Sequence, residues 1–113
     1  MILKNKIDSQ GNYYELKNLN TSLMTIFIHG VGLDNTMWFP QKKYFNDKSV
    51  LFYDLLNHGQ SNGDFKELSF DIYNNQLLNL IEDLKIEKIN IVRFSIGTII
   101  AQHCTNKFYN KKN

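Results

Sequence analysis

Apolar residues along this chain come in two kinds of short block. Met24-Thr25-Ile26-Phe27-Ile28 and Ser49-Val50-Leu51-Phe52-Tyr53-Asp54 are nearly continuous apolar runs of strand length, the type buried on both faces of a sheet. Lys88-Ile89-Asn90-Ile91-Val92 reads as a third buried strand. Leu77, Leu80, Ile81 and Leu84 instead fall at helical spacing and predict the apolar stripe of a helix. Ser69 stands where its N-cap belongs, with Asp71 in the first turn, and the pattern runs out near Leu84. At the start of the chain, Ile2 to Ile7 and Tyr13 to Leu16 flank the turn cluster Asp8-Ser9-Gln10-Gly11-Asn12, which predicts an antiparallel hairpin. Trp38 to Phe45 predicts a short helix with Pro40 in its first turn, and Thr98 to about Phe108 a last helix.

The order is therefore a hairpin followed by strands and helices in alternation. Strands joined by helical crossovers predict an α/β fold: a parallel sheet with a leading antiparallel hairpin and helices on both faces. No internal repeat or linker divides residues 1–113, which read as a single domain. In such sheets reactive groups gather at the carboxyl ends of the strands. His29, Asp54 and Ser95 each stand at or just past such an end.

The junction around Ser95 carries the most chemistry. A serine between a buried strand and a helix, with small residues two positions away, forms a tight elbow that lifts Oγ above the sheet. The N–H groups opening the following helix, Ile96 first, then point at an oxyanion. Gly97 supplies the second small residue, and Arg93 replaces the first. His29-Gly30-Val31-Gly32 follows the first parallel strand, and Asp54-Leu55-Leu56-Asn57-His58-Gly59-Gln60-Ser61 follows the second. With these three motifs in this order, the chain resembles the α/β-hydrolase family over residues 22 to 105. Gly32-Leu33-Asp34, Met37-Trp38 and Pro40-Gln41 look most like its lactonases and carboxylesterases, such as 3-oxoadipate enol-lactonase.

The resemblance implies that Ser95 is the nucleophile and that the backbone N–H groups of Val31 and Ile96 form the oxyanion hole. It makes His29, Gly30, Asp54, His58, Gly59 and Gly97 residues that shape loops, and it implies neither metal nor cofactor. His103 and Cys104 read as packing residues, and Trp38 and Phe39 as lid or core aromatics. Two positions depart from the pattern. Asn57 replaces a glycine, and Asn is the next residue most tolerant of positive φ. Arg93 brings a large cation two residues before Ser95, so it must distort the turn or exit to solvent. The family's acid and histidine follow later strands, whereas this sequence ends at Asn113. The resemblance thus implies a truncated, N-terminal part of the fold, inactive alone, whose last strand has an unpaired edge.

Composition narrows the remaining classes. The net charge of +2 comes from 12 lysines and one arginine spread among 11 acids, with no basic stripe for nucleic acid. Lys107, Lys111 and Lys112 read as a solvated end. A single cysteine excludes an internal disulfide. No apolar run approaches a membrane span and no signal-peptide core opens the chain, so a soluble cytoplasmic protein is expected. The expected partners are a small ester or lactone if the chain is complemented, a C-terminal hydrolase half, or a second copy through self-association. The rival readings are a non-catalytic interaction module, half of a split hydrolase, and a small flavodoxin-like binding domain. The last lacks its Gly-x-Gly-x-x-Gly or P-loop signature.

Overall fold

The computed structural model describes residues 3–19, 22–45, 47–63, 69–94 and 105–109. Five strands form one sheet: β1 (Lys4–Ile7), β2 (Tyr13–Lys17), β3 (Leu23–Ile28), β4 (Val50–Tyr53) and β5 (Lys88–Arg93), in the spatial order β1-β2-β4-β3-β5. β3 pairs in parallel with both β4 and β5. The hairpin β1–β2 joins the same sheet, because β2 runs antiparallel against β4. The sheet is mixed, and the crossover order β4-β3-β5 brings the ends of three parallel strands side by side.

Alternation along β3 and β4 sorts their side chains into two layers. Ile26, Ile28, Leu51 and Tyr53 face α2 (Phe70–Asp83), which covers them with Tyr73, Leu77, Leu80 and Ile81. Phe108, in the helical stretch 105–109, packs into the same layer. Each of these fully buried aliphatic side chains contributes roughly 1.5–3 kcal/mol of transfer free energy. Phe27, Val50 and Phe52 point the other way and meet Trp38. There Phe27 stacks on Phe52 at 4.4 Å and meets Trp38 edge-on at 5.2 Å. Helices thus cover both faces, as the sequence predicts.

α2 begins where expected: the Ser69 hydroxyl accepts from the Ile72 N–H, and Asp71 lies in the first turn. Two elements differ from the sequence reading. The helix expected over Trp38 to Phe45 is two pieces, a 3-10 turn at Asn35–Trp38 and α1 at Phe39–Tyr44. The Asp34 carboxylate accepts from the Thr36 N–H and starts the chain turning three residues early, and Pro40 then opens α1. Trp38 is core, whereas Phe39 is exposed. β5, expected to be buried, is half-exposed, since no described strand pairs with its outer edge. The stretch 105–109 agrees with the end of the expected last helix, and 98–104 lie outside the described residues. No helix among the described residues is long and apolar enough to cross a membrane.

Candidate active site

The loops leaving β3 and β4 are locked together by two buried polar residues. His29 is fully buried just past the end of β3. Its Nε2 lies 2.9 Å from the Leu55 N–H and must accept from it, which leaves the proton on Nδ1 to donate to the Gly30 carbonyl at 2.8 Å. Both ring nitrogens are therefore engaged. Burial pushes the His29 imidazole below its usual range, in keeping with a neutral ring.

Asp54 does the same from the end of β4. Its Oδ1 accepts from the Asn35 N–H and Nδ2, each at 2.7 Å, and its Oδ2 from the Gln60 N–H at 2.9 Å. Its own carbonyl accepts from the Ser61 hydroxyl and from Gln76 Nε2. All the carboxylate's contacts are loop-ordering ones, and they draw the 54–61 loop, the 3-10 turn and α2 to one point. Lys42 reaches the far side of Asn35 and pairs with Glu15 at 2.9 Å, which ties the hairpin in as well. Thr36 holds the Asp34 carboxyl below the usual carboxylate range through its hydroxyl and N–H.

The backbone of the 54–61 loop has two left-handed residues. Asn57 has φ 64, so the amide side chain does tolerate the turn where a glycine was expected. Gly59 has φ +51, and a Cβ there would lie 2.2 Å from Asp54 Oδ2. His58 donates from Nδ1 to the Leu56 carbonyl and stacks obliquely on His29, ring centroids 5.2 Å apart.

Above these loops the third strand end arrives. The Phe94 N–H donates to the Ile28 carbonyl at 3.2 Å, which continues β5 along β3. The Phe94 ring lies so close to Gly30 that a Cβ on that glycine would approach Phe94 Cδ1 to 2.8 Å. Val31 follows at the crest of a tight turn closed by the Leu33 N–H on the Gly30 carbonyl. Val31 and Phe94 are 58% and 52% exposed, so the crest is an open apolar rim rather than packed core.

A sheet of this order places it among known structures. Over 86% of its length the chain superimposes on MGS-M2, an alpha/beta hydrolase enzyme from a Medee basin deep-sea metagenome library, with a TM-score of 0.76 and 29% identity, covering 36% of that chain. The chain has the α/β-hydrolase fold. The enol-lactonase from Burkholderia xenovorans LB400 shares the fold at a TM-score of 0.72 and 24% identity, over 79% of this chain and 35% of that one. An uncharacterised protein of Mycobacterium bovis is 33% identical over 84 residues, 74% of this chain and 25% of that protein. The (E)-2-((N-methylformamido)methylene)succinate hydrolase of Acinetobacter baylyi is 29% identical over 77 residues, 67% of this chain and 29% of the hydrolase. The chain thus spans between a quarter and a third of the length of the curated relatives it matches. No family profile matches it.

Within the α/β-hydrolase frame, the predicted site residues divide in two. His29, Gly30, Val31, Asp54, His58 and Gly59 come together at the carboxyl ends of β3 and β4. Ser95, Ile96 and Gly97, with His103 and Cys104, lie outside the described residues. Arg93, the last residue of β5, is exposed, and the turn that follows it lies outside the described residues. Sequence reasoning missed Asn12, Asn35, Ser61 and Gln76, buried polar groups that complete the loop network. Only Ser61 carried a signal, as the last residue of the Asp54–Ser61 motif. Among the described residues no cluster of His, Cys, Asp or Glu is arranged to hold a metal ion.

Proposed function

We propose that this chain supplies the nucleophile and oxyanion side of a serine hydrolase acting on a small ester or lactone. The observation that carries the reading is the meeting of Phe94 with Gly30: it anchors the strand leading to Ser95 against the loop that carries Val31. In this reading Ser95 Oγ attacks the substrate carbonyl while the N–H groups of Val31 and Ile96 stabilise the oxyanion. Collapse of the tetrahedral intermediate breaks the ester C–O bond, releases the alkoxy group as an alcohol, and leaves an acyl-Ser95 that water then hydrolyses. The open apolar rim of Val31, Leu33 and Phe94 suits the alkyl part of such a substrate.

The proton transfers need a base, and the described histidines do not fit that role. His29 spends both nitrogens on the backbone, and His58 spends Nδ1 on Leu56. In this reading neither His29 nor His58 is the base, and the 113 residues alone are expected not to turn over ester. It becomes active when an acid and a histidine are supplied by further α/β-hydrolase sequence. No nucleic acid, membrane, metal or cofactor enters this scheme.

The test uses a fluorophosphonate probe and p-nitrophenyl acetate. The chain alone is expected to give neither labelling nor hydrolysis above buffer. Adding the C-terminal portion of a solved α/β-hydrolase, in trans or fused, is expected to produce labelling that Ser95→Ala abolishes. Labelling that survives Ser95→Ala, or none under any complementation, rejects Ser95 as the nucleophile. Ser95-dependent hydrolysis by the chain alone rejects the need for a completing part.

A further inference from the structure

The peptide joining Gly30 to Val31 carries two polar groups that cannot turn independently. It is planar and trans, so its C=O and N–H point in opposite directions. The Gly30 carbonyl accepts from His29 Nδ1 at 2.8 Å and from the Leu33 N–H at 3.1 Å, which uses both of its lone pairs. The imidazole that donates is fully buried. The Val31 N–H therefore points away from that ring, toward the open side of the loop. Among the described residues it donates to no group, and Val31 itself is exposed.

The ring has little freedom to release its hold. The Leu55 N–H donates to Nε2 at 2.9 Å, so the other tautomer would set two N–H groups against each other there. It would also set a ring lone pair against the Gly30 oxygen. His58 stacks on the imidazole at 5.2 Å, and the Phe94 ring closes over Gly30. Hydrogen bonds received by a peptide oxygen polarise the group and strengthen the N–H at its other end as a donor. One buried imidazole thus connects Leu55, on the loop after β4, to the Val31 N–H, on the loop after β3.

We infer that His29 is a positioning residue for the oxyanion: through the Gly30 carbonyl it aims the Val31 N–H and strengthens it as a donor. The inference rests on the reading of the Val31 N–H as half of the oxyanion hole, and adds the group that orients it. His29 touches no substrate and takes no proton in the reaction. Its two bonds have separate duties. The Nδ1 bond sets the donor peptide, and the Nε2 bond fixes the ring to the neighbouring loop. Substitution can divide them, because an asparagine amide reaches only to the place of Nδ1 and a glutamine amide to that of Nε2. Asparagine keeps a donor for the Gly30 carbonyl, whereas glutamine keeps an acceptor for the Leu55 N–H.

The first test is nuclear magnetic resonance of the 113-residue chain. Imidazole nitrogen shifts should show a neutral His29 protonated at Nδ1, and a proton on Nε2 overturns the inference before any variant is made. The Val31 amide proton should keep its shift in His29→Asn and move upfield in His29→Gln. Each variant gives up one bond, so a merely structural role would move Val31 in both or in neither, and either result overturns the inference. The second test is kinetic, on the chain completed by the C-terminal portion of a solved α/β-hydrolase. There His29→Gln is expected to lower kcat about tenfold or more with KM nearly constant, and His29→Asn less than about threefold. Equal losses in the two variants, or a loss confined to KM, overturn it as well. If the completed wild type is not labelled at Ser95, the nucleophile reading fails, and the resonance shifts of the chain alone still decide the role of His29.

Discussion

At Gly59 two requirements fall on one residue. Its φ of +51 favours glycine, and a Cβ there would lie 2.2 Å from Asp54 Oδ2. Gly32 has a similar φ of +81 with nothing within 4 Å of its absent side chain. The pair separates backbone strain from collision. Gly32→Ala is expected to cost about 1–2 kcal/mol, the left-handed penalty alone. Gly59→Ala is expected to cost roughly 3 kcal/mol or more, since it also pushes Asp54 off its buried donors. Urea melts of the two variants check this, and equal losses would refute the role given to Asp54. The His29 ring makes the second residue-scale prediction. Its folded pKa is below the unfolded value of 6.5. The neutral ring's stabilisation is therefore complete above about pH 6.5 and is lost as pH falls through the lower folded value, where the unfolded chain binds the proton first. Between pH 7.5 and 5, wild type should lose stability more steeply than His29→Asn, which starts lower but has no such proton to take up. Parallel slopes would show that His29 is not buried neutral.

At the scale of elements, α2 serves the sheet and the loops at once. Leu77 lies at the centre of the α2-side layer, fully buried, and Leu77→Ala is expected to cost about 2–5 kcal/mol through lost transfer energy and a residual cavity. One residue earlier, Gln76 faces the loops instead. Its Nε2 donates to the carbonyl of Asp54 and to Asn12 Oδ1, and its Oε1 accepts from the Leu56 N–H. Gln76→Leu keeps the bulk and orphans the Leu56 donor, at a cost of about 1–3 kcal/mol. The two variants should differ in kind. Leu77→Ala should lower protection throughout β3 and β4, whereas Gln76→Leu should raise exchange first at Leu56 and in the 8–12 turn. Uniform loss in both would mean that the loops have no local stability of their own.

Over the whole molecule, one hydrogen-bond network runs from the hairpin through Glu15, Lys42, Asn35 and Asp54 to Gln76 and back to Asn12. It crosses both faces of the sheet and fixes the hairpin relative to the strand ends. This network explains why an N-terminal hairpin, remote in sequence from Ser95, bears on the candidate site: the Tyr13 N–H donates to Ser61, and the Asp54 N–H to the Tyr13 carbonyl. Glu15→Ala is expected to cost about 1–3 kcal/mol, because its pair with Lys42 is largely shielded from solvent and the Tyr13 hydroxyl loses its acceptor. Asp54→Ala should cost roughly 3–5 kcal/mol by stranding the Asn35 and Gln60 donors. A thermal melt of each checks the contrast.

The elements themselves were legible in the chain. Periods of two and 3.6, the Ser69 cap and the turn residues 8–12 are local signals, and they set β3, β4, α2 and the hairpin because local backbone preference and face burial agree there. The motifs at 29–32 and 54–61 were legible for the same reason: glycine and asparagine announce left-handed backbone by residue type. What the sequence left open depended on neighbours distant along the chain. The run 88–92 reads as a buried strand by its residue types, and its half-exposure follows from its place beside β3 alone in the spatial order β1-β2-β4-β3-β5. The early 3-10 turn depends on Asp54 drawing Asn35 inward as well as on Asp34. The choice of His29 as a clasp rather than a base was decided by which two backbone groups lay within reach of its ring. Short-range spacing determined what each segment is; long-range hydrogen bonding and the pairing of strands decided what each polar side chain does.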